Sequence, residues 1–179
     1  MGSRRKFEIA FVGLKQGDHE FNYELDTEFF KEKGADTENI SANVKLLLEK
    51  NAGFLLLKFL VGGKAEVNCD RCGNLIMVDL WDEFKMVVKL TDDPDKMNEQ
   101  EEDADAYYIS KTESHIDVSD WFYEFVMLSI PMQHICGTDE KGDSLCNEDV
   151  LNRLNEMKVK TDEQDADSIW KGLDKFKDN

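Results

Sequence analysis

The chain has 179 residues, of which 41% are apolar, 10% aromatic and 34% charged. This is about the size of one globular domain, with more charge than average. Its 22 basic and 39 acidic residues give a formal net charge of −17. Because nucleic-acid binding depends on basic side chains that neutralise phosphates, this charge argues against extensive direct contact with RNA or DNA.

The apolar runs are too short to cross a membrane. The longest, Phe54 to Val61, is eight residues long and includes Lys58, whereas a spanning helix needs about 20 residues. The basic N-terminus is not followed by the apolar block of a signal peptide. We therefore expect a cytoplasmic protein, in which the four cysteines act as metal ligands or packed thiols and do not form disulfides.

One hairpin and one short helix are predicted before residue 35. Phe7 to Leu14 and His19 to Leu25 alternate in hydropathy and predict a hairpin closed at Gln16-Gly17-Asp18. Thr27 to Lys33 predicts a short helix that Gly34 stops.

An antiparallel meander of three strands follows. Apolar and polar residues alternate from Ile40 to Leu46, from Phe54 to Cys69, and from Ile76 to Leu90, which is typical of half-buried strands. Asn51-Ala52-Gly53 predicts the first turn, and Gly62-Gly63 predicts a bulge in the second strand.

Residues 92–106 contain eight acidic residues and one lysine. Like charges repel along such a segment and offer little apolar surface to bury. We predict a flexible acidic loop, followed by short extended pieces at Tyr107 to Ile109 and at Ile116 to Val118.

Two helices are predicted in the second half. Ser119 is expected to cap a helix over Trp121 to Ser129, whose apolar side chains have helical spacing and which ends before Pro131. We expect this helix to pack on the sheet. A second helix is predicted over roughly Asn147 to Met157.

The predicted fold class is α+β, with an antiparallel β-meander sheet packed by one or two helices. Residues 1–157 form a single domain in this prediction, and residues 158–179 form a mobile polar tail. Ile169, Trp170, Leu173 and Phe176 can give that tail a short amphipathic helix.

The sharpest chemical signal is Cys69-x-x-Cys72-Gly73. Two thiolates at this spacing on a tight turn can ligate one metal, and tetrahedral Zn²⁺ needs four such ligands. The other two are sought at Cys136 and Cys146, with His134 as an alternative ligand to Cys136. Nine residues separate Cys136 from Cys146, so the sequence leaves open a filled zinc site, a turn with reduced thiols, and a redox-active pair.

No catalytic motif is present. The sequence contains no G-x-G-x-x-G, G-x-x-x-x-G-K-[ST], H-E-x-x-H or G-x-S-x-G pattern. His19 and His115 have no nucleophile nearby in the sequence. We therefore predict a protein that is not an enzyme.

The order of these features resembles the bacterial YceD family, the large ribosomal RNA subunit accumulation proteins. The family marker is a C-x-R-C turn, present here as Cys69-Asp70-Arg71-Cys72. Family members continue with an acidic loop, a short strand, an apolar helix with a central Glu, a Pro and a segment with His and Cys. The corresponding residues are Ile116-Asp117-Val118, Glu124, Pro131, His134 and Cys146, so the resemblance covers about residues 5–155.

The resemblance implies a non-enzymatic role in 23S rRNA accumulation and biogenesis of the large ribosomal subunit. Relatives with a fuller second cysteine cluster look zinc-binding. Because the acidic surface attracts cations, the expected partner is a basic ribosomal protein or a large-subunit assembly intermediate. The alternative is a generic zinc-stabilised protein-interaction module unrelated to ribosomes.

Overall fold

The computed structural model describes residues 4–37, 39–99 and 106–157, and the predicted tail lies outside the described residues. The chain divides into two compact units, one formed by Met1–Asn68 with Leu75–His134 and the other by Cys69–Asn74 with Ile135–Asn179. The single domain over residues 1–157 stays a prediction.

The helices and strands follow one another as an α+β arrangement, which confirms the predicted fold class. The strands are β1 (Glu8–Ile9), β2 (Gly17–Leu25), β3 (Ile40–Lys50), β4 (Phe54–Asn68), β5 (Leu75–Thr91), β6 (Ala106–Ser110) and β7 (Ile116–Asp117). The helices are α1 (Thr27–Glu32), α2 (Pro94–Glu99), α3 (Ser119–Leu128) and α4 (Glu148–Met157).

The main sheet of the first unit has the strand order β2-β3-β4-β5-β6. β3, β4 and β5 form the predicted antiparallel meander, with Leu48 opposite Leu57 and Leu57 opposite Met86. β6 is parallel to β5, which makes the sheet mixed. The strand pairing confirms the predicted meander. The sequence could predict it because alternating hydropathy and short turns are local signals.

The predicted N-terminal hairpin is wrong. β2 pairs along its whole length with β3, and the segment from Phe7 to Leu14 contains the two-residue strand β1 and a 3-10 helix over Phe11–Gly13. β1 instead pairs with the distant β7, with Glu8 opposite Asp117. Burial explains the difference, because Phe7, Ile9 and Phe11 contribute to the hydrophobic core of the unit.

The predicted bulge at Gly62-Gly63 is also wrong. The register of β4 runs through both glycines without interruption on both sides, with Gly63 opposite Ala42 and Leu80. A Cβ atom on Gly63 would lie 2.2 Å from the carbonyl oxygen of Ser41. Gly63 is therefore required by the close approach of β3.

The helix α3 packs on the sheet as predicted. Phe122 and Val126 are fully buried, and the ring of Phe125 stacks on Phe84 at 4.4 Å between centroids and meets Phe59 at 4.8 Å. The predicted cap at Ser119 is wrong, because Ser119 is the first helical residue and its backbone N–H is bound by the side chain of Asp117 at 2.8 Å. Aromatic packing thus joins the helix to two strands of the meander.

The acidic segment is not entirely a loop. Its first half contains α2, and the Asn98 side chain both donates to the carbonyl oxygen of Tyr108 and accepts from its N–H, each at 2.9 Å. The sequence does not predict this contact, because the high negative charge of the segment gives no sign of a single amide that binds the backbone. Residues 100–105 lie outside the described residues.

The helix α4 confirms the second predicted helix and belongs to the second unit. It is amphipathic, yet none of its residues is buried. Among the described residues, no helix has the length and apolar character that a membrane crossing requires.

Candidate metal centre

Four cysteines of the second unit form one cluster. Cys69 and Cys72 lie in the turn between β4 and β5, and Cys136 and Cys146 lie on either side of a loop before α4. Their four Sγ atoms all lie within 4.8 Å of one another. The structure thus brings together the four residues predicted as ligands.

Backbone hydrogen bonds fix the first half of the cluster. The N–H of Cys69 donates to the carbonyl oxygen of Asn74 at 2.8 Å, and the N–H of Gly73 donates to that of Cys69 at 2.9 Å. Gly73 has φ +75°, a left-handed conformation that glycine adopts without the steric penalty of a side chain. The turn therefore holds Cys69 and Cys72 close together, and Gly73 relieves the backbone at that turn.

The loop between Cys136 and Cys146 brings the second half of the cluster together, although its nine residues left this half uncertain in the sequence. The N–H of Leu145 donates to Gly137 at 3.0 Å, and Thr138 forms a β-bridge with Ser144. The chain thus returns on itself and brings both of its cysteines to one end of the loop. Nine intervening residues place Cys136 beside Cys146 because the loop is itself a small hairpin.

Asp139 organises the tip of that loop. Its carboxylate accepts the N–H groups of Lys141 and Asp143 at 2.9 and 2.8 Å, and Gly142 turns the chain with φ +89°. An aspartate that accepts local N–H groups, followed by a glycine, is typical of a tight turn. The sequence Asp139 to Gly142 was the signal that could have revealed the second half of the site.

The sulfur separations match a tetrahedral thiolate site. Cys69 and Cys146 have their Sγ atoms 3.8 Å apart, and Cys72 and Cys136 have theirs 3.6 Å apart. Four sulfurs at about 2.3 Å from one Zn²⁺ would lie about 3.8 Å from each other. All four cysteines are free of disulfides, so each has a sulfur to offer to a metal.

Hydrogen bonds prepare one sulfur as a thiolate. Burial opposes ionisation of the Cys69 thiol, but backbone N–H groups donate to its sulfur and lower its pKa to about 6. One of them is the N–H of Cys136, at 3.4 Å. Backbone N–H groups of Asn147 and Asn74 likewise lower the pKa of Cys72.

The other thiols of the cluster oppose ionisation of Cys136. Burial raises the pKa of the Cys136 thiol to about 12, and the neighbouring thiols of Cys69 and Cys72 add to this effect. Like charges at such separations disfavour each other, whereas a bound dication reverses that balance. The electrostatics thus suit a divalent, thiolate-preferring metal such as Zn²⁺.

A second observation fits the same metal. Among the described residues of this unit, only Cys69 and Cys146 are buried. The described part of this unit therefore gains little from the hydrophobic effect, and small units of this kind are commonly held by a metal or by disulfides. The donor set therefore fits a structural zinc ion.

His134, the alternative ligand, is not a member of the cluster. The group of potential ligands that the structure assembles consists of Cys69, Cys72, Cys136 and Cys146. The sequence prediction offered His134 in place of Cys136, and the structure assembles Cys136 into the cluster.

Comparison with known families finds a matching family model. The family described as "Large ribosomal RNA subunit accumulation protein YceD" matches residues 57–177, which is more than half of the chain. The chain belongs to the YceD family. A search of curated proteins and a search of solved structures each returned no match. The region that matches the YceD family includes all four clustered cysteines.

Proposed function

We propose that this protein is a non-enzymatic factor that supports 23S rRNA accumulation and biogenesis of the large ribosomal subunit. The match to the YceD family over residues 57–177 carries this proposal. It is supported by the absence of recognised catalytic motifs from the sequence. The protein acts by binding, without turnover.

The immediate partner in this proposal is a basic protein of the assembling subunit. A net charge of −17 repels phosphate and steers cationic surfaces toward the protein. Ribosomal proteins that await incorporation are exposed basic chains, which an acidic binder complements. Extensive direct RNA contact is not part of the proposal.

Zinc has a structural role in this proposal. Cys69, Cys72, Cys136 and Cys146 would hold it, and four protein ligands leave no open coordination position for a substrate. The ion would supply a cross-link between the β4–β5 turn and the loop before α4. That cross-link would keep the second unit folded.

The experiment is depletion of the protein in its native cells, with the two large rRNAs quantified. A selective fall of 23S rRNA relative to the small-subunit rRNA supports the proposal. Unchanged rRNA with a normal subunit profile would refute it. A matched pair, Cys72→Ser against Met132→Ser, tests the cysteine cluster, because both replace sulfur but Met132 is fully exposed.

A second measurement addresses the partner. Tagged protein should enrich ribosomal proteins or precursor subunits from lysate, and this enrichment should weaken as salt rises above about 0.15 M, where the Debye length falls below roughly 8 Å. Enrichment of non-ribosomal proteins alone would favour the generic interaction module instead.

A further inference from the structure

One long edge of the main sheet is open. β5 has 17 residues, but β6 pairs only with its end, from Val87 to Thr91. Within the described part of the chain, no strand pairs with Leu75 to Met86 on the side away from β4. Backbone N–H and C=O groups on such an edge are available for another strand.

Large apolar side chains stand exposed along the same strand. Trp81 is 84% exposed, Leu75 60% and Met77 51%. Their odd numbering places all three on one face of the sheet. Trp81 lies opposite Gly62 on β4, which has no side chain to cover it.

This arrangement is unusual for a soluble protein surface. A single exposed apolar residue is ordinary, but a tryptophan beside two further apolar residues on an open edge indicates an interaction site. Tryptophan is also the residue type most enriched among the dominant contacts of protein interfaces. The strand therefore offers both backbone pairing and an aromatic anchor.

The charge along the open stretch has one sign. Leu75 to Phe84 contains Asp79, Asp82 and Glu83 and no lysine or arginine. Lys58 and Lys85 pair with Glu83 at 2.9 and 3.5 Å. The Asp79 carboxylate is highly exposed and reaches Lys64 only at 3.7 Å, and exposed ion pairs of this kind contribute little. A cationic ligand can therefore compete for Asp79.

We propose that the open edge of β5 accepts an extended, lysine- or arginine-bearing segment of a protein partner as an added strand, with Trp81 as its anchor. This inference rests on the proposed function, since it gives the basic partner its binding surface. Backbone hydrogen bonds provide affinity in strand addition, and alternate side chains provide specificity.

The geometry specifies the pattern of the incoming strand. Residues opposite each other on paired strands have Cβ atoms about 5 Å apart, and diagonal neighbours about 7–8 Å. A basic side chain opposite Trp81 can lie on the indole face as a cation–π contact. Its alternate neighbours lie opposite Asp79 and Glu83, so basic residues at every second position match the edge.

Two other occupants fit less well. Antiparallel pairing of two copies centred on Trp81 would set Asp79 of each copy opposite Glu83 of the other, and like charges directly opposite each other destabilise a sheet. RNA could stack on Trp81, but the three carboxylates of the stretch and the net charge of −17 repel phosphate.

The test uses the full-length protein and a fluorescein-labelled peptide of about nine residues, a typical strand length, in which arginine alternates with threonine. Fluorescence anisotropy should detect binding, and Trp81→Ala should weaken it by about tenfold or more. The control Leu128→Ala removes an apolar side chain on α3 that is also largely exposed, at 67%, and should leave the affinity unchanged. Thermal midpoints of both variants check that folding is intact.

A second peptide isolates the backbone contribution. The same sequence with N-methyl groups at alternate residues keeps its charge but cannot donate the ladder hydrogen bonds, and its binding should be lost. Equal binding of the methylated peptide, or of Trp81→Ala and the native protein, would overturn the inference.

Four further outcomes separate the rivals. Tighter binding of a single-stranded oligouridine that Trp81→Ala abolishes would replace the peptide with RNA. A dimer in sedimentation that Trp81→Ala dissociates would replace the peptide with a second copy of the chain as the occupant of the edge.

If depletion leaves 23S rRNA unchanged while peptide binding still requires Trp81, the proposed function fails and the surface stands. If Trp81→Ala fully restores 23S rRNA in depleted cells and binds the peptide normally, the surface fails and the function stands.

Discussion

The two units of this protein differ in the interactions that stabilise each of them. The first unit buries a continuous set of apolar side chains, among them Phe30, Phe59 and Phe122, and each contributes through the area it removes from water. In the described part of the second unit, the buried side chains are Cys69 and Cys146. The first unit is stabilised by its core, whereas the described part of the second unit has a cluster of four cysteines where a core would otherwise lie.

This difference shows how charge and cysteine content separate within one chain. The chain has 34% charged residues. Its buried apolar residues are concentrated in the first unit, whereas the second unit has four clustered cysteines that can bind a metal. The proposed zinc ion therefore concerns the folding of one unit, not the stability of the whole chain.

Metal removal should have the largest effect, because structural zinc sites contribute on the order of 10 kcal/mol to the fold they hold. We expect about one zinc per chain in protein purified without chelator, and a loss of zinc in Cys69→Ser. Amide hydrogen exchange should then rise at residues 135–157 and remain slow in β3 and β4.

Met132→Ser is the control, since it removes a sulfur that belongs to no cluster, and it should keep its zinc. Elemental analysis that finds less than about a tenth of an equivalent in the native protein would favour four reduced thiols. Fast exchange in both units after chelation would contradict the division of stabilising forces.

The core of the first unit should give the next largest effect. Phe125→Ala removes a ring that stacks on Phe84 and contacts Phe59, and such truncations cost about 3–5 kcal/mol. Denaturant unfolding measures this loss. Leu128→Ala on the same helix, where the side chain is largely exposed, should change stability by less than about 0.5 kcal/mol. Equal stabilities of the two variants would show that α3 does not pack as described.

Much of the first unit could be predicted from the sequence, because its signals are local. Alternation from Ile40 onward and the turn at Asn51 to Gly53 fix the meander, since neighbouring strands need only a short connection. The wrong hairpin shows the limit of that reasoning. β1 pairs with β7, more than a hundred residues away, and the alternating pattern of one segment does not identify its partner strand.

The cysteine site was predicted in its residues but not in its geometry. The two-residue spacing of Cys69 and Cys72 predicts a turn by itself. The proximity of Cys136 and Cys146 depends instead on a hydrogen bond between Gly137 and Leu145. Ligand spacing in a sequence measures chain length and not distance in space. A long spacing therefore excludes a site only where the intervening residues cannot close a loop.

Backbone proximity within the sheet should give an effect of intermediate size. Gly63→Ala places a methyl group against the carbonyl oxygen and Cα of β3, at 2.2 and 2.8 Å, and overpacking of this kind costs about 1–3 kcal/mol. Gly62→Ala is the matched control, because a Cβ there has nothing within 4 Å. Equal unfolding midpoints would mean that β3 and β4 can separate at this point without loss.

The smallest effect is expected in the acidic segment, where the first unit uses a polar contact in place of apolar burial. Asn98→Ala removes both hydrogen bonds to the backbone of Tyr108, and its cost should be about 1 kcal/mol, since each such bond contributes roughly 0.5–1.5 kcal/mol and water can replace part of it.

Replacement of residues 100–105, four of which are acidic, by a Gly/Ser linker should leave the free energy of unfolding unchanged, because like charges along one segment repel. Replacement of the whole segment 92–106 should then cost no more than loss of the Asn98 contact. Denaturant unfolding of the three variants measures these differences, and a large loss on replacing 100–105 alone would place a stabilising contact there that the negative charge conceals.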